Sequence, residues 1–156
     1  GVEKFFKNKK SNSYLKVMET EKFKELKRLE AEVSKLYRDV DAAIVEGFSD
    51  KIALRKLGFQ SKIFLSAEKT IEDLVEDVAR GASRAVILTD FDEHGKEQHR
   101  KISQALTQEI DVLHTARKDF GAQLTSTGRR TVEAVLPLFE DKDQKFVEAQ
   151  LSGLYL

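Results

Sequence analysis

The chain has 156 residues, 40% of them hydrophobic and 35% charged, with 27 basic side chains balancing 27 acidic ones and no cysteine. This composition suits one soluble domain with its own core and excludes a disulfide framework or a cysteine-based zinc site. No apolar stretch nears the ~20 residues of a membrane span and no signal-peptide pattern opens the chain, so a cytoplasmic protein with no membrane partner is expected.

The neutral total hides an asymmetry. Residues 1–28 carry nine Lys and Arg against four acids, a surplus of +5 that the rest of the chain offsets. A basic leader on an acidic body points to contact with a polyanion, or equally to a solvated helix face. From Ser13 to Arg38 the pattern is helical: Leu15, Met18, Leu26, Leu29, Val33, Leu36 and Val40 recur at three- and four-residue steps. Such a helix spans roughly 30–40 Å at ~1.5 Å per residue. Its narrow, near-heptad stripe can pack on the body or on a second copy, which leaves a monomer or a dimer through this helix.

Beyond Val40 the texture changes. Residues 41–47 read as a short buried strand ending in Glu46, with Ser49 as N-cap of a helix that stops near Gly58. Lys62-Ile63-Phe64-Leu65 is a second apolar run. Thr70 opens an amphipathic helix with Ile71, Leu74, Val75 and Val78 inward, ending at Gly81. Residues 85–89 form a third strand, 95–108 another helix and 111–114 a weaker fourth strand. Thr131 is expected to cap a final helix carrying Val132, Val135, Leu136 and Phe139, limited or kinked by Pro137. Tyr14, Tyr37 and Tyr155 have no recognisable nucleophile context and read as core residues. Strands alternating with helices predict an α/β fold, a central and mostly parallel four-stranded sheet flanked by helices. Three parts follow: a basic segment and long helix over 1–40, a core over 41–120, and a C-terminal helical extension over 121–156.

The chemistry gathers at the end of the third strand, where an apolar run stops at Asp90 and Asp92 and Gly95 follows. Alternate residues of an extended chain share a face, so both carboxylates can aim at one spot. Asp92, three residues before Gly95, would equally serve as a helix N-cap. If the strands are parallel, Glu46 leaves the sheet at the same edge, beside Gly47, whose missing side chain lets backbone or ligand come close. Three carboxylates at one edge repel one another unless a cation or a proton lies among them, and hard oxygen ligands suit Mg²⁺, with Mn²⁺ as a substitute. Basic residues border the same edge. Arg117 and Lys118 follow the fourth strand, Lys96 and Arg100 lie one turn apart on the preceding helix, and Gly128-Arg129-Arg130 could extend the track. Together they suggest contact with nucleic-acid phosphates. Of the histidines, His94 is a phosphate contact or an exposed loop residue, His99 is expected half-buried on a helix face, and His114 is undecided.

Ile44-Val45-Glu46-Gly47-Phe48-Ser49-Asp50 resembles the apolar-apolar-Glu-Gly-x-x-Asp motif of Toprim domains, and Asp90-Phe91-Asp92-Glu93-His94-Gly95 resembles their Asp-x-Asp-x-x-Gly motif. The resemblance covers residues 41–120 and includes the primase and ribosomal-RNA maturation nuclease members. It implies Glu46 as a general acid/base or metal ligand, Asp90 and Asp92 as holders of Mg²⁺, and Gly47, Asp50 and Gly95 as supporting motif positions. It further implies Mg²⁺-dependent phosphodiester chemistry on nucleic acid, RNA favoured over DNA, foremost as a nuclease (a hydrolase) acting on structured RNA. The alternative it allows is a non-enzymatic RNA- or ribosome-binding factor that uses the metal site to grip phosphate. The chain departs from the larger relatives: it has no Gly-rich ATPase loop, no zinc-ribbon cysteines and no room for DNA-gate domains.

Overall fold

The computed structural model describes the backbone of residues 2–140 and the side chains of residues 13–140. Tyr155 and the end of the expected C-terminal extension lie outside the described residues. The elements in chain order are α1 (Val2–Asp39), β1 (Ala42–Val45), α2 (Phe48–Lys56), β2 (Lys62–Leu65), α3 (Ile71–Gly81), β3 (Arg84–Ile87), α4 (Glu93–Leu106), β4 (Asp111–Val112) and α5 (His114–Thr125), followed by a 3₁₀ turn over Val132–Val135. The strands form one parallel sheet in the order β2-β1-β3-β4.

Both faces of the sheet are covered, which is why β1 reads as an unbroken apolar run rather than an alternation. Ala43, Val45, Val86 and Leu88 face α1, α2, α5 and the 3₁₀ turn through Leu29, Leu54, Phe120 and Val135. Ala42, Ile44, Ala85 and Ile87 face α3 and α4 through Leu74, Val78, Ile102 and Leu106. Alternate residues of one strand thus serve two separate cores.

The winding positions the site. After β1 the chain turns onto one face through α2, whereas after β3 it turns onto the other through α4. Adjacent parallel strands whose following helices leave to opposite faces open a crevice at their carboxyl ends, where ligands of open α/β sheets bind. Glu46 and Asp90 stand at the mouth of that crevice.

Several expectations are corrected in detail. The buried stripe of α1 runs through Leu26, Leu29, Val33 and Leu36, while Leu15 and Met18 are 52% and 41% exposed. Tyr14 and Tyr37 are 67% and 48% exposed, so neither is a core residue. The N-cap of α2 is Gly47 rather than Ser49: its N–H donates to Asp50 Oδ2 at 3.1 Å. Thr70 does cap α3, its hydroxyl accepting from Asp73 N. Residues 114–125 form the helix α5, so the boundary at residue 120 falls inside an element, and His114 opens that helix rather than closing a strand. Thr131 caps the 3₁₀ turn, not an α-helix.

Candidate metal centre

The register pairs Ile44 with Ile87, and Leu88 N donates to Ile44 O at 2.7 Å, so β1 and β3 leave the sheet side by side. Glu46 and Asp90 consequently meet. The Asp90 carboxyl reaches Glu46 within hydrogen-bonding distance and is raised to about 7, first by burial, then by the Glu46 hydrogen bond and charge, and further by Asp50 and Asp92. Two carboxyls this close favour a proton or a cation between them.

Asp92 is exposed and serves as N-cap of α4, where its Oδ1 accepts from Gly95 N at 2.7 Å. Among the described residues no three His, Cys, Asp or Glu side chains form a ready-made cation cage. The donor set still fits Mg²⁺, which keeps several waters and is commonly bound through one or two carboxylates. Glu46 and Asp90 would supply those, and the second oxygen of Asp92 is not committed to the cap.

Asp50 is buried, and both its oxygens have structural partners: Oδ2 takes Gly47 N, and Oδ1 takes Glu133 N of the 3₁₀ turn at 2.9 Å. It ties the loop after β1 to the C-terminal segment and adds negative charge behind the pair. Gly95 is required by sterics, since a Cβ there would lie 1.9 Å from the Asp90 carbonyl oxygen. Its motif position lets the first turn of α4 rest on the backbone that carries Asp90. At Gly47 a Cβ would meet nothing within 4 Å, so no close backbone approach demands glycine there.

The basic track divides. Arg117 is buried rather than offered to a ligand: Nη1 donates to Ile87 O and Thr89 O at 3.0 and 2.8 Å, and Nη2 to Asp90 O at 3.2 Å. Its guanidinium carbon lies 4.2 Å over the Phe91 ring, and burial lowers its pKa to about 10 against the opposing pull of Asp90. The expectation that Arg117 forks onto a phosphate is therefore revised; it brackets the carbonyls that deliver Asp90 to the edge. Arg129 likewise leaves the track, pairing with the buried Glu25 of α1 at 2.5 Å and donating to Ala134 O. Arg100 is exposed but held in a two-point pair with Glu97 at 2.6 and 3.1 Å. Lys96, Lys118 and Arg130 are exposed, Lys96 with only a loose 3.7 Å pairing to Glu93.

His94 is exposed, and His99 is half-buried on the inward side of α4. Burial, and then Arg117 and His114, lower His99 to about 4, and its Nε2 has no hydrogen-bond partner. His99 and His114 meet edge to face with centroids 5.7 Å apart. Neither this pairing nor α5 was read from the sequence; the spacing of Phe120 and Leu124 was the available signal for the helix.

No family model matches the chain. It is 32% identical over 133 residues to a UPF0292 protein of Thermococcus sibiricus, with 83% of this chain and 90% of that one aligned. The chain belongs to the UPF0292 family. A UPF0292 protein of Pyrococcus horikoshii is 32% identical over 130 residues, covering 83% of this chain and 86% of its own. For the Thermococcus onnurineus member the identity is 31% over 130 residues, with 83% and 85% covered. A solved structure of a protein from Aquifex aeolicus shares the fold, with TM-score 0.57 and 24% identity over 69% of this chain and 95% of that one. Among the described residues no helix is long and apolar enough to cross a membrane.

Proposed function

We propose that this UPF0292 protein carries out Mg²⁺-dependent phosphodiester chemistry on nucleic acid, foremost as a nuclease acting on structured RNA. The observation that carries the reading is the meeting of Glu46 and Asp90 at the crevice between β1 and β3. The resemblance of both acidic motifs to Toprim domains supports it. A divalent ion at this edge would neutralise the carboxylates and polarise a phosphoryl oxygen. Glu46 is the group that moves a proton at the reacting oxygen. A cation at the pair would take the place of the proton that burial and Glu46 favour on Asp90. Arg117 holds Asp90 in place from behind, through the backbone. Lys96, Lys118 and Arg130 are the exposed cations available to the substrate's phosphates.

The test is a cleavage assay with Mg²⁺ or Mn²⁺ on structured RNA and on single- and double-stranded DNA. Glu46→Gln is expected to lose roughly 10²-fold or more in rate, the scale of a missing general acid/base, with substrate binding much less affected. Cleavage by Glu46→Gln at the wild-type rate would remove Glu46 from the mechanism. A wild type that binds RNA, or ribosomal particles, but cleaves no substrate would make the protein a binding factor that grips phosphate through the same site.

A further inference from the structure

Beside the acidic pair lies a cleft of about 380 Å³ between α4, α5 and the Phe91 loop. Lys96, His99, His114, Arg117, Lys118 and Arg130 contribute to its lining, and no carboxylate does. In a chain with as many acids as bases, this concave surface gathers four cations and two imidazoles and so carries one sign of charge. One further feature points to an anionic occupant. The Lys118 and Arg130 side chains have no hydrogen bond or ion pair among the described residues. In addition, α5 starts at His114 without a side-chain cap, which adds the positive end of a helix to the same wall.

We infer that this cleft is a binding site for a phosphomonoester, seated next to the acidic pair rather than on it. Its volume lies at the small end of ligand pockets, enough for a nucleotide-sized group. A strand passing through would need a groove that tracks its backbone, whereas a concave patch with converging cations suits a doubly charged phosphate at an end. Lys118 and Arg130 supply the mobile donors. Buried Arg117 adds fixed charge, its terminal nitrogens being engaged with the Ile87, Thr89 and Asp90 carbonyls, and the His99 and His114 rings complete the wall. Phe91 and Arg117, which form part of the wall, adjoin Asp90, the first in the chain and the second through its bond to the Asp90 carbonyl, so the cleft borders the proposed reacting position. Only the source of the phosphate, a strand end or a free nucleotide, rests on the nucleic-acid reading above.

The chain has three histidines, so histidine-selective NMR resolves the cleft directly. Metal-free protein near neutral pH would be titrated with inorganic phosphate, adenosine 5′-monophosphate and adenosine. The expected result is saturable movement of the His99 and His114 signals with the first two, none with adenosine, and little change at His94. Lys118→Ala with Arg130→Ala should weaken phosphate binding about tenfold or more, the scale of losing charge-assisted hydrogen bonds, with an unchanged unfolding midpoint. No saturable movement of His99 and His114, or movement unaltered in the double variant, would overturn the inference. Tighter binding of a 5′-phosphorylated RNA oligonucleotide than of its 5′-hydroxyl counterpart assigns the phosphate to a strand end; equal binding assigns it to a free nucleotide. Because no divalent ion is present, failure here leaves the metal-site reading untouched, and failure of that reading leaves this result standing.

Discussion

Removing the Arg117 guanidinium should damage the fold before it damages ligand binding. In Arg117→Ala three charge-assisted hydrogen bonds disappear, and the carbonyls of Ile87, Thr89 and Asp90 lose their donor. Bonds to a charged donor contribute about 1.5–3 kcal/mol each, and a stranded buried carbonyl costs about 1–3 kcal/mol. These figures do not add fully, because water can enter the gap and because the guanidinium is no longer buried at its own desolvation cost. A net loss of about 3–4 kcal/mol is the expected outcome, or roughly 6–16 °C in Tm for a domain of this size. Arg117→Lys keeps the charge but lacks the planar fork that reaches three carbonyls, so about 2 kcal/mol should still be lost. Urea unfolding followed by circular dichroism gives both values, and exposed Lys118→Ala, expected within about 0.5 kcal/mol of wild type, is the control. If Arg117→Ala unfolds at the wild-type midpoint yet binds nucleic acid more weakly, the guanidinium is a ligand group and the bracket described here is wrong.

Gly95→Ala places a Cβ against the Asp90 carbonyl, and backbone on both sides cannot yield cheaply; a loss of about 3 kcal/mol or more in urea unfolding is expected, and near-wild-type stability would mean that the first turn of α4 does not rest on Asp90. Asp90 makes stability fall as pH rises. Its folded pKa of about 7 exceeds the unfolded value, so the folded state holds the extra proton and stability declines between about pH 4 and 7. Solvent screening of this half-buried group limits the effect to about 1–2 kcal/mol. Asp90→Asn should flatten that decline in metal-free urea titrations, and an unchanged pH dependence would show that Asp90 does not carry it.

The strands and acids were legible because their signals are local. β1 and β3 are unbroken apolar runs that stop at an acid, and parallel order follows from the helices between them. What escaped the sequence depends on distant partners. The stripe of α5 is disguised because two of its buried positions are Arg117 and Gly121, a charge and a helix breaker. Arg117 looks like a phosphate ligand until Ile87, Thr89 and Asp90 are found to present their carbonyls to it. Arg129 reads as part of a surface track because its partner, Glu25, is 104 residues earlier. Gly47 replaced Ser49 as the cap of α2 because Asp50 supplies the reciprocal bond to its N–H. Asp92 was open between ligand and cap, and the cap geometry is present while one oxygen stays uncommitted.

The proposed function requires Glu46, Asp90 and Asp92 to take a divalent cation together. Thermal unfolding with and without Mg²⁺ or Mn²⁺, at a pH above that at which Asp90 ionises, tests it most directly. Wild type should gain about 2.7 kcal/mol when the ion is at 100 times its Kd, and Asp90→Asn with Asp92→Asn should gain nothing. The double variant should still fold, because asparagine also caps a helix. A wild type whose Tm does not respond to either ion, or a double variant that responds as wild type does, would show that these carboxylates hold no cation.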